Sequence, residues 1–249
     1  MFNIMIGKYI PLNSKIHQMN PISKIICLLL FLILLMFDST IMLALLSILT
    51  ILVISFSQIP FKVYLRSIKA LKVLIVFLFL ITLIFNGSWY QMITSLIKII
   101  LGILYTMVLT YTTSKSEITY GLENVFSPLS VFKLPVKQMS LSLTLALRFI
   151  PNIFEQTDKI MKSQASRGID FRHSNVKGKV IAISSMIVPM FILSTRKADM
   201  VADIMEVRLY RGDIKRTTYR HHKWSHFDEN MILLHLGLLI YNIIRMVTV

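Results

Sequence analysis

From Ile25 to Ile59 the chain is almost wholly apolar, interrupted only by Asp38-Ser39-Thr40. About 20 apolar residues suffice for a helix to cross roughly 30 Å of hydrocarbon, so a run of this length predicts membrane insertion. It fits two short spanning helices joined by a tight polar turn, near 22–37 and 39–57. Gln58 and Pro60 stop the second. Three further spans are expected. One lies near 67–86 and ends at Asn86-Gly87-Ser88. One lies near 91–113, opened by Trp89 and Tyr90, which suit a membrane interface. The last lies near 230–248 and is interrupted by His235, Asn242 and Arg245.

Composition agrees with that reading. The 249 residues are 55% hydrophobic and 16% charged, against roughly 45–50% apolar and 25% charged in ordinary soluble domains. Disorder, collagen-like sequence and disulfide-stapled folds are excluded. The single cysteine, Cys27, can form no internal bridge and no multi-thiolate metal site. No cleavable signal peptide is expected, because the first apolar run lacks a small-residue cleavage site and leads into more apolar sequence.

The net charge of +15 is unevenly placed. Residues 114–226 hold 18 of the 27 Lys and Arg and 9 of the 12 acidic residues, whereas the first 113 hold 8 basic residues and the lone acid Asp38. Lys8, Lys15 and Lys24 precede the first span, and Lys62, Arg66, Lys69 and Lys72 lie between the second and third. The 1–2 and 3–4 connections carry no Lys or Arg. The positive-inside rule then places the N-terminus and the whole of 114–226 in the cytoplasm. The charge is accounted for without nucleic acid, which is not expected as a partner. The organisation read from the sequence is an all-α membrane protein. It has an N-terminal transmembrane part (1–113), a cytoplasmic helical domain (114–226) and a final transmembrane helix (227–249).

Within 114–226 the pattern is helical. A short helix covers 117–127 and ends at Ser127-Pro128. Residues 136–150 are apolar, Pro151 kinks or restarts the helix, and 152–167 are amphipathic. After a charged link, residues 180–193 are apolar and contain Pro189, and 194–211 are amphipathic. Both amphipathic stretches end on an arginine, in Ser166-Arg167-Gly168 and in Val207-Arg208-Leu209. A cation in the last helical turn is stabilised by the helix dipole, by about 0.3–1 kcal/mol. Two matched ends favour a further role, because the guanidinium is a rigid five-donor fork suited to carboxylates and carbonyls of a partner. Lys98, inside the fourth span, is read as snorkelling to the near surface. His221, His222 and His226 with Trp224 read as a membrane-border cluster rather than a metal site, since no acidic or thiol partner stands beside the first two.

These residues, in this order, resemble the transmembrane T component (EcfT) of energy-coupling factor transporters, which are ABC-type importers of vitamins and trace metals. Gly7-Lys8-Tyr9-Ile10-Pro11 with Ser14, His17, Asn20-Pro21 and Lys24 resembles the family's opening. Arg148-Phe149-Ile150-Pro151 and Asp158-Lys159-Ile160-Met161-Lys162 resemble its first coupling helix. Ser166-Arg167-Gly168 occupies the place of the first Ala-Arg-Gly motif. Pro189, Ala198-Asp199 and Met205-Glu206-Val207-Arg208 resemble the second coupling helix and motif. The departures are Ser166 and Val207 for alanine, and Leu209 where many members carry glycine or cysteine. The opening and the Tyr210-Arg211-Gly212 tail resemble the shared type of T component, which serves several substrate-binding subunits.

The resemblance implies that Ser166, Arg167, Gly168, Val207, Arg208 and Leu209 contact two cytoplasmic ABC ATPases, which hold ATP and Mg. It also implies that a small membrane S component binds substrate and packs on this chain. The chain itself would hold no cofactor and catalyse nothing, in keeping with the lack of a GxxxxGK[ST] loop. Two other readings are a polytopic membrane enzyme, which wants clustered acids at the membrane border, and a self-sufficient secondary transporter, which usually shows repeated halves. Neither feature is visible in the sequence.

Overall fold

Asn20-Pro21 starts the first long apolar helix. The Asn20 side chain accepts the Ile22 N–H at 3.0 Å, and proline's fixed φ and missing N–H suit the first helical position. The computed structural model describes residues 9–37, 39–85, 89–128, 135–169, 175–212 and 222–248. Its helices are α1 (Lys15–Gln18), α2 (Pro21–Leu35), α3 (Thr40–Ser57), α4 (Phe61–Ala70), α5 (Lys72–Phe85), α6 (Trp89–Thr112), α7 (Lys115–Phe126), α8 (Val136–Ser166), α9 (Val176–Val207) and α10 (His226–Thr248). No strand occurs among the described residues. The chain divides into two compact units, Met1–Lys137 with Arg220–Val249, and Gln138–Tyr219.

In the first unit α2 is central and packs against α3, α6, α7 and α10. Its inward residues Phe31 and Leu34 are fully buried. Phe31 stacks on Tyr105 of α6, with ring centroids 4.1 Å apart. His235, which interrupts the apolar pattern of α10, is buried beside them. Its Nδ1 donates to the Met231 carbonyl at 2.7 Å, which leaves Nε2 to accept the Tyr105 hydroxyl at 2.9 Å. A polar residue in this core is tolerated because both ring nitrogens are satisfied.

Among the described residues, four helices are long and apolar enough to cross a membrane: Thr40–Ser57, Trp89–Thr112, Gly178–Val207 and His226–Val247. Pro21–Leu35 and Lys72–Leu83 are apolar but shorter. The expected span at 67–86 is two helices that meet at Leu71. Tyr64 and Ser67 anchor α4 inward, Tyr64 through a 3.0 Å hydroxyl contact with Ser57 and Ser67 through the Tyr111 hydroxyl. Lys62, Arg66 and Lys69 stay exposed. This is an amphipathic helix of the interfacial kind, and it leaves α5 only about 21 Å long at 1.5 Å per residue. The apolar stretch 180–193, read from sequence as cytoplasmic, lies in the third of the four long apolar helices.

Helix α7, which the sequence reading grouped with the middle of the chain, packs on α2. A Cβ on Gly121 would lie 2.6 Å from Ile25 Cδ1 and 3.0 Å from the Pro21 carbonyl, so only glycine permits this approach. Ser114 and Glu117 cap α7 reciprocally. Glu117 accepts the Ser114 N–H at 2.8 Å, and Ser114 Oγ accepts the Glu117 N–H at 3.4 Å, the capping-box arrangement.

The start of α2, the end of α6 and the start of α10 meet in a buried polar knot. Asp228 is 0% exposed. One carboxylate oxygen accepts the Asn20 N–H at 3.0 Å and the Ser23 hydroxyl at 2.6 Å. The other accepts the Ser225 N–H at 2.8 Å. The Asn20 side-chain amide donates to the His222 carbonyl at 3.1 Å. Beside them, Lys24 Nζ donates to the carbonyls of Thr112 at 3.1 Å and His17 at 3.2 Å. His17 Nε2 donates to the Ile10 carbonyl at 2.9 Å, so Nδ1 accepts the Ser14 hydroxyl at 2.6 Å.

Two outcomes follow from the knot. Asp228→Ala strands two buried donors, each worth about 1–3 kcal/mol. The purified chain should therefore lose about 2–6 kcal/mol of stability in a denaturation series, while the exposed neighbour Asn230→Ala should change little. His17 is the second. Burial lowers its pKa below 6.5, opposed by the hydrogen bond to Ile10. A folded pKa below the unfolded value means that the contribution is present above pH 6.5 and is lost as the pH falls through the folded value. Wild-type melting temperature should decline across that window, and His17→Gln should flatten the decline.

Candidate functional site

Helices α8 and α9 make up most of the second unit, and each runs unbroken through an internal proline, Pro151 and Pro189. Pro151 therefore does not restart α8. Three contacts fix an antiparallel course. Gln138 Nε2 donates to the Gly212 carbonyl at 3.2 Å, Lys197 Nζ lies 5.3 Å from the Phe149 ring centre, and the Thr157 hydroxyl lies 3.2 Å from Met190 Sδ. Arg208 thus belongs to the end of the unit where α8 begins, and Arg167 to the end where α8 finishes. Gln138 to Arg167 is about 40 Å of helix at 1.5 Å per residue.

Both arginine ends are closed by the same backbone device. At the end of α8 the Ile169 N–H donates to the Gln164 carbonyl at 3.1 Å and the Gly168 N–H to the Ala165 carbonyl at 3.0 Å, with Gly168 at φ +84°. At the end of α9 the Tyr210 N–H donates to the Met205 carbonyl at 2.9 Å and the Leu209 N–H to the Glu206 carbonyl at 2.8 Å, with Leu209 at φ +54°. Each is a Schellman motif with its left-handed residue just past the arginine. Glycine takes that conformation freely. Leucine does so against a steric penalty of about 1–2 kcal/mol.

All six expected site residues are exposed, and the structure gathers them as two triplets rather than one site. Val207 and Leu209 are 84% and 83% exposed, on either side of Arg208. The first end is small and polar around its guanidinium; the second flanks its guanidinium with two apolar side chains. The Leu209 strain was not readable from the sequence, since nothing in the order Val-Arg-Leu marks a left-handed residue.

The histidine group is divided by role. The His222 ring lies 5.0 Å from Tyr120, and His226 faces Glu229 at 3.5 Å. His221 lies outside the described residues. No group of three metal-ligating side chains converges among the described residues. Lys98 is half-buried and lines two adjoining cavities.

Leu209→Gly separates the two properties of that position. Removal of the left-handed strain should protect the Leu209 and Tyr210 amides better in hydrogen exchange, by about 5- to 30-fold for 1–2 kcal/mol. Less protection would mean that the leucine is not strained there.

The cobalt transport protein family (CbiQ) matches residues 12–219. The energy-coupling factor transporter transmembrane protein EcfT of Bacillus subtilis (strain 168) is 35% identical over 250 residues, 94% of each chain. EcfT of Ruminiclostridium cellulolyticum is 35% identical over 91% of each chain. EcfT of Streptococcus thermophilus is 32% identical over 97% of this chain and 98% of its own. The match takes in both arginine ends and the knot residues Ser14 to Lys24. This chain therefore belongs to the CbiQ/EcfT family of transporter transmembrane proteins.

Proposed function

We propose that this chain is the coupling subunit of an energy-coupling factor importer in the cell membrane, with its N-terminus in the cytoplasm. Two ABC ATPases, which bind ATP and Mg, each grip one long-helix end, and a small membrane S component carries the substrate, a vitamin or a trace metal. The relatives' shared name supplies the transporter class. The single observation that carries the mechanism is the pair of matched arginine ends, closed alike and set about 40 Å apart along an antiparallel helix pair. One partner of ordinary size cannot take both in one groove, whereas two related partners can.

The second unit also has a surface that suits a membrane partner. Val180, Ile181, Ile183, Val188 and Phe191 of α9 are exposed. Apolar area on this scale is a binding face in a soluble setting and a packing face in a bilayer. The S component covers it in this reading. Movement of the ATPases then displaces the helix ends, and the displacement reaches the S component through the helices themselves.

Arg167→Ala and Arg208→Ala should leave the chain folded in the membrane, because an exposed helix-end cation contributes only about 0.3–1 kcal/mol. If each guanidinium fills a groove on an ATPase, its loss should weaken association by about 2–5 kcal/mol, roughly 30-fold to several thousand-fold. The double variant should be weaker than either single one. Pull-down of the ATPases at matched membrane expression, with uptake measured beside it, decides the matter. Wild-type recovery and uptake in the double variant would reduce both arginines to helix ends.

A further inference from the structure

Two cavities meet at Lys98. One is a groove of about 570 Å³ lined mainly by apolar residues, among them Leu32, Leu35, Gly102, Ile103 and Met107, and it continues along α6 to Tyr111. The other is a chamber of about 330 Å³ lined by Ser39, Thr40, Tyr90, Gln91, Thr94 and Ser95. Lys98 lines both. We propose that the two cavities together bind one acidic phospholipid, with its phosphate at Lys98 in the polar chamber and one acyl chain in the apolar groove.

The division of chemistry along α6 matches such a molecule. Hydroxyls and an amide lie on the Trp89 side of Lys98, and mainly hydrocarbon lies on the other. From Lys98 to Tyr111 the groove runs about 20 Å, and one leaflet of hydrocarbon is about 15 Å deep.

Charge points the same way. Arg245, near the end of α10, donates to Ser39 Oγ on the chamber wall, so a second cation from a different helix borders the chamber. Lys98 and Arg245 are already engaged within the protein, and the phosphate joins that network. Connections 1–2 and 3–4 themselves hold no Lys or Arg. Basic residues at the end of a bundle that otherwise lacks them have no topological explanation.

The inference needs only membrane insertion and is independent of the coupling reading. The full chain, purified in mild detergent, is mixed with equimolar phosphatidylglycerol and phosphatidylcholine of identical acyl chains and read by native mass spectrometry. One phosphatidylglycerol per chain is expected, preferred about tenfold, the loss in affinity that follows removal of one charge-assisted hydrogen bond. Lys98→Gln should abolish the preference and Lys98→Arg should keep it, which guards against a folding defect. Thr106→Trp should lower retention of both lipids by filling the groove. ATPase pull-down by Lys98→Gln should match wild type. Equal retention of the two lipids by wild type, or an unchanged preference in Lys98→Gln, would overturn the proposal. So would a disulfide from Thr106→Cys to a partner protein in place of retained lipid.

Discussion

The buried carboxylate of Asp228 organises the first unit. It accepts from Asn20, Ser23 and Ser225, which joins the first turn of α2 to the first turn of α10 across more than 200 residues of sequence. A carboxyl group at 0% exposure is tolerable only because several donors replace water. The requirement is mutual. Asn20 must spend its side chain capping Ile22 and reaching His222, and Ser23 must turn its hydroxyl inward. Lys24 closes the α6 side by donating to the carbonyl of Thr112, the last residue of α6, a group that the helix itself leaves unpaired. Apolar packing between α2 and its neighbours is non-directional, and this knot sets which turn of each helix faces which.

The second unit is built on a different principle. Its two helices have 31 and 32 residues, yet among its described residues Ala182 and Ser140 are the buried ones. Long amphipathic helices gain most of their stability from packing rather than from propensity. Helices so sparsely packed against each other present their apolar faces outward, to lipid or to partners. That is the arrangement expected of an element whose work lies in contact with other chains.

The family and the helical membrane architecture were legible in the sequence because they rest on local signals: apolar run length, loop charge, proline and motif order. The two arginine ends were legible for the same reason. Three features were not. The break at Leu71 depends on Tyr64 and Ser67 finding Ser57 and Tyr111, and hydropathy cannot see a hydroxyl partner. The attachment of α7 to α2 depends on the missing Cβ of Gly121. His235 reads as an interruption of an apolar helix until Tyr105 is placed beside it, and Asp228 carries no reading until Asn20 is placed beside it. Each is a long-range pairing, in which one residue's meaning is set by another far along the chain.

The internal prolines bear on how such a unit can transmit motion. A proline inside a helix removes one backbone hydrogen bond and clashes with the preceding turn, at about 3 kcal/mol. Pro151 lies between Phe149 and Thr157, and Pro189 is next to Met190, so both sit within the stretch where α8 and α9 touch. A force on either arginine end therefore meets a stiff arm of some ten to twenty residues and then the point where that helix bends most easily. The two weak points are offset along the pair, Pro151 lying near the Phe149–Lys197 contact and Pro189 near the Thr157–Met190 contact. Bending of one helix there shifts the contact through which the other is held, whereas prolines elsewhere would let each arm move without its neighbour. The aromatic-cation and hydroxyl–thioether contacts at the touch point are weak and few. They keep the helices in register without locking them, as a joint between two levers requires.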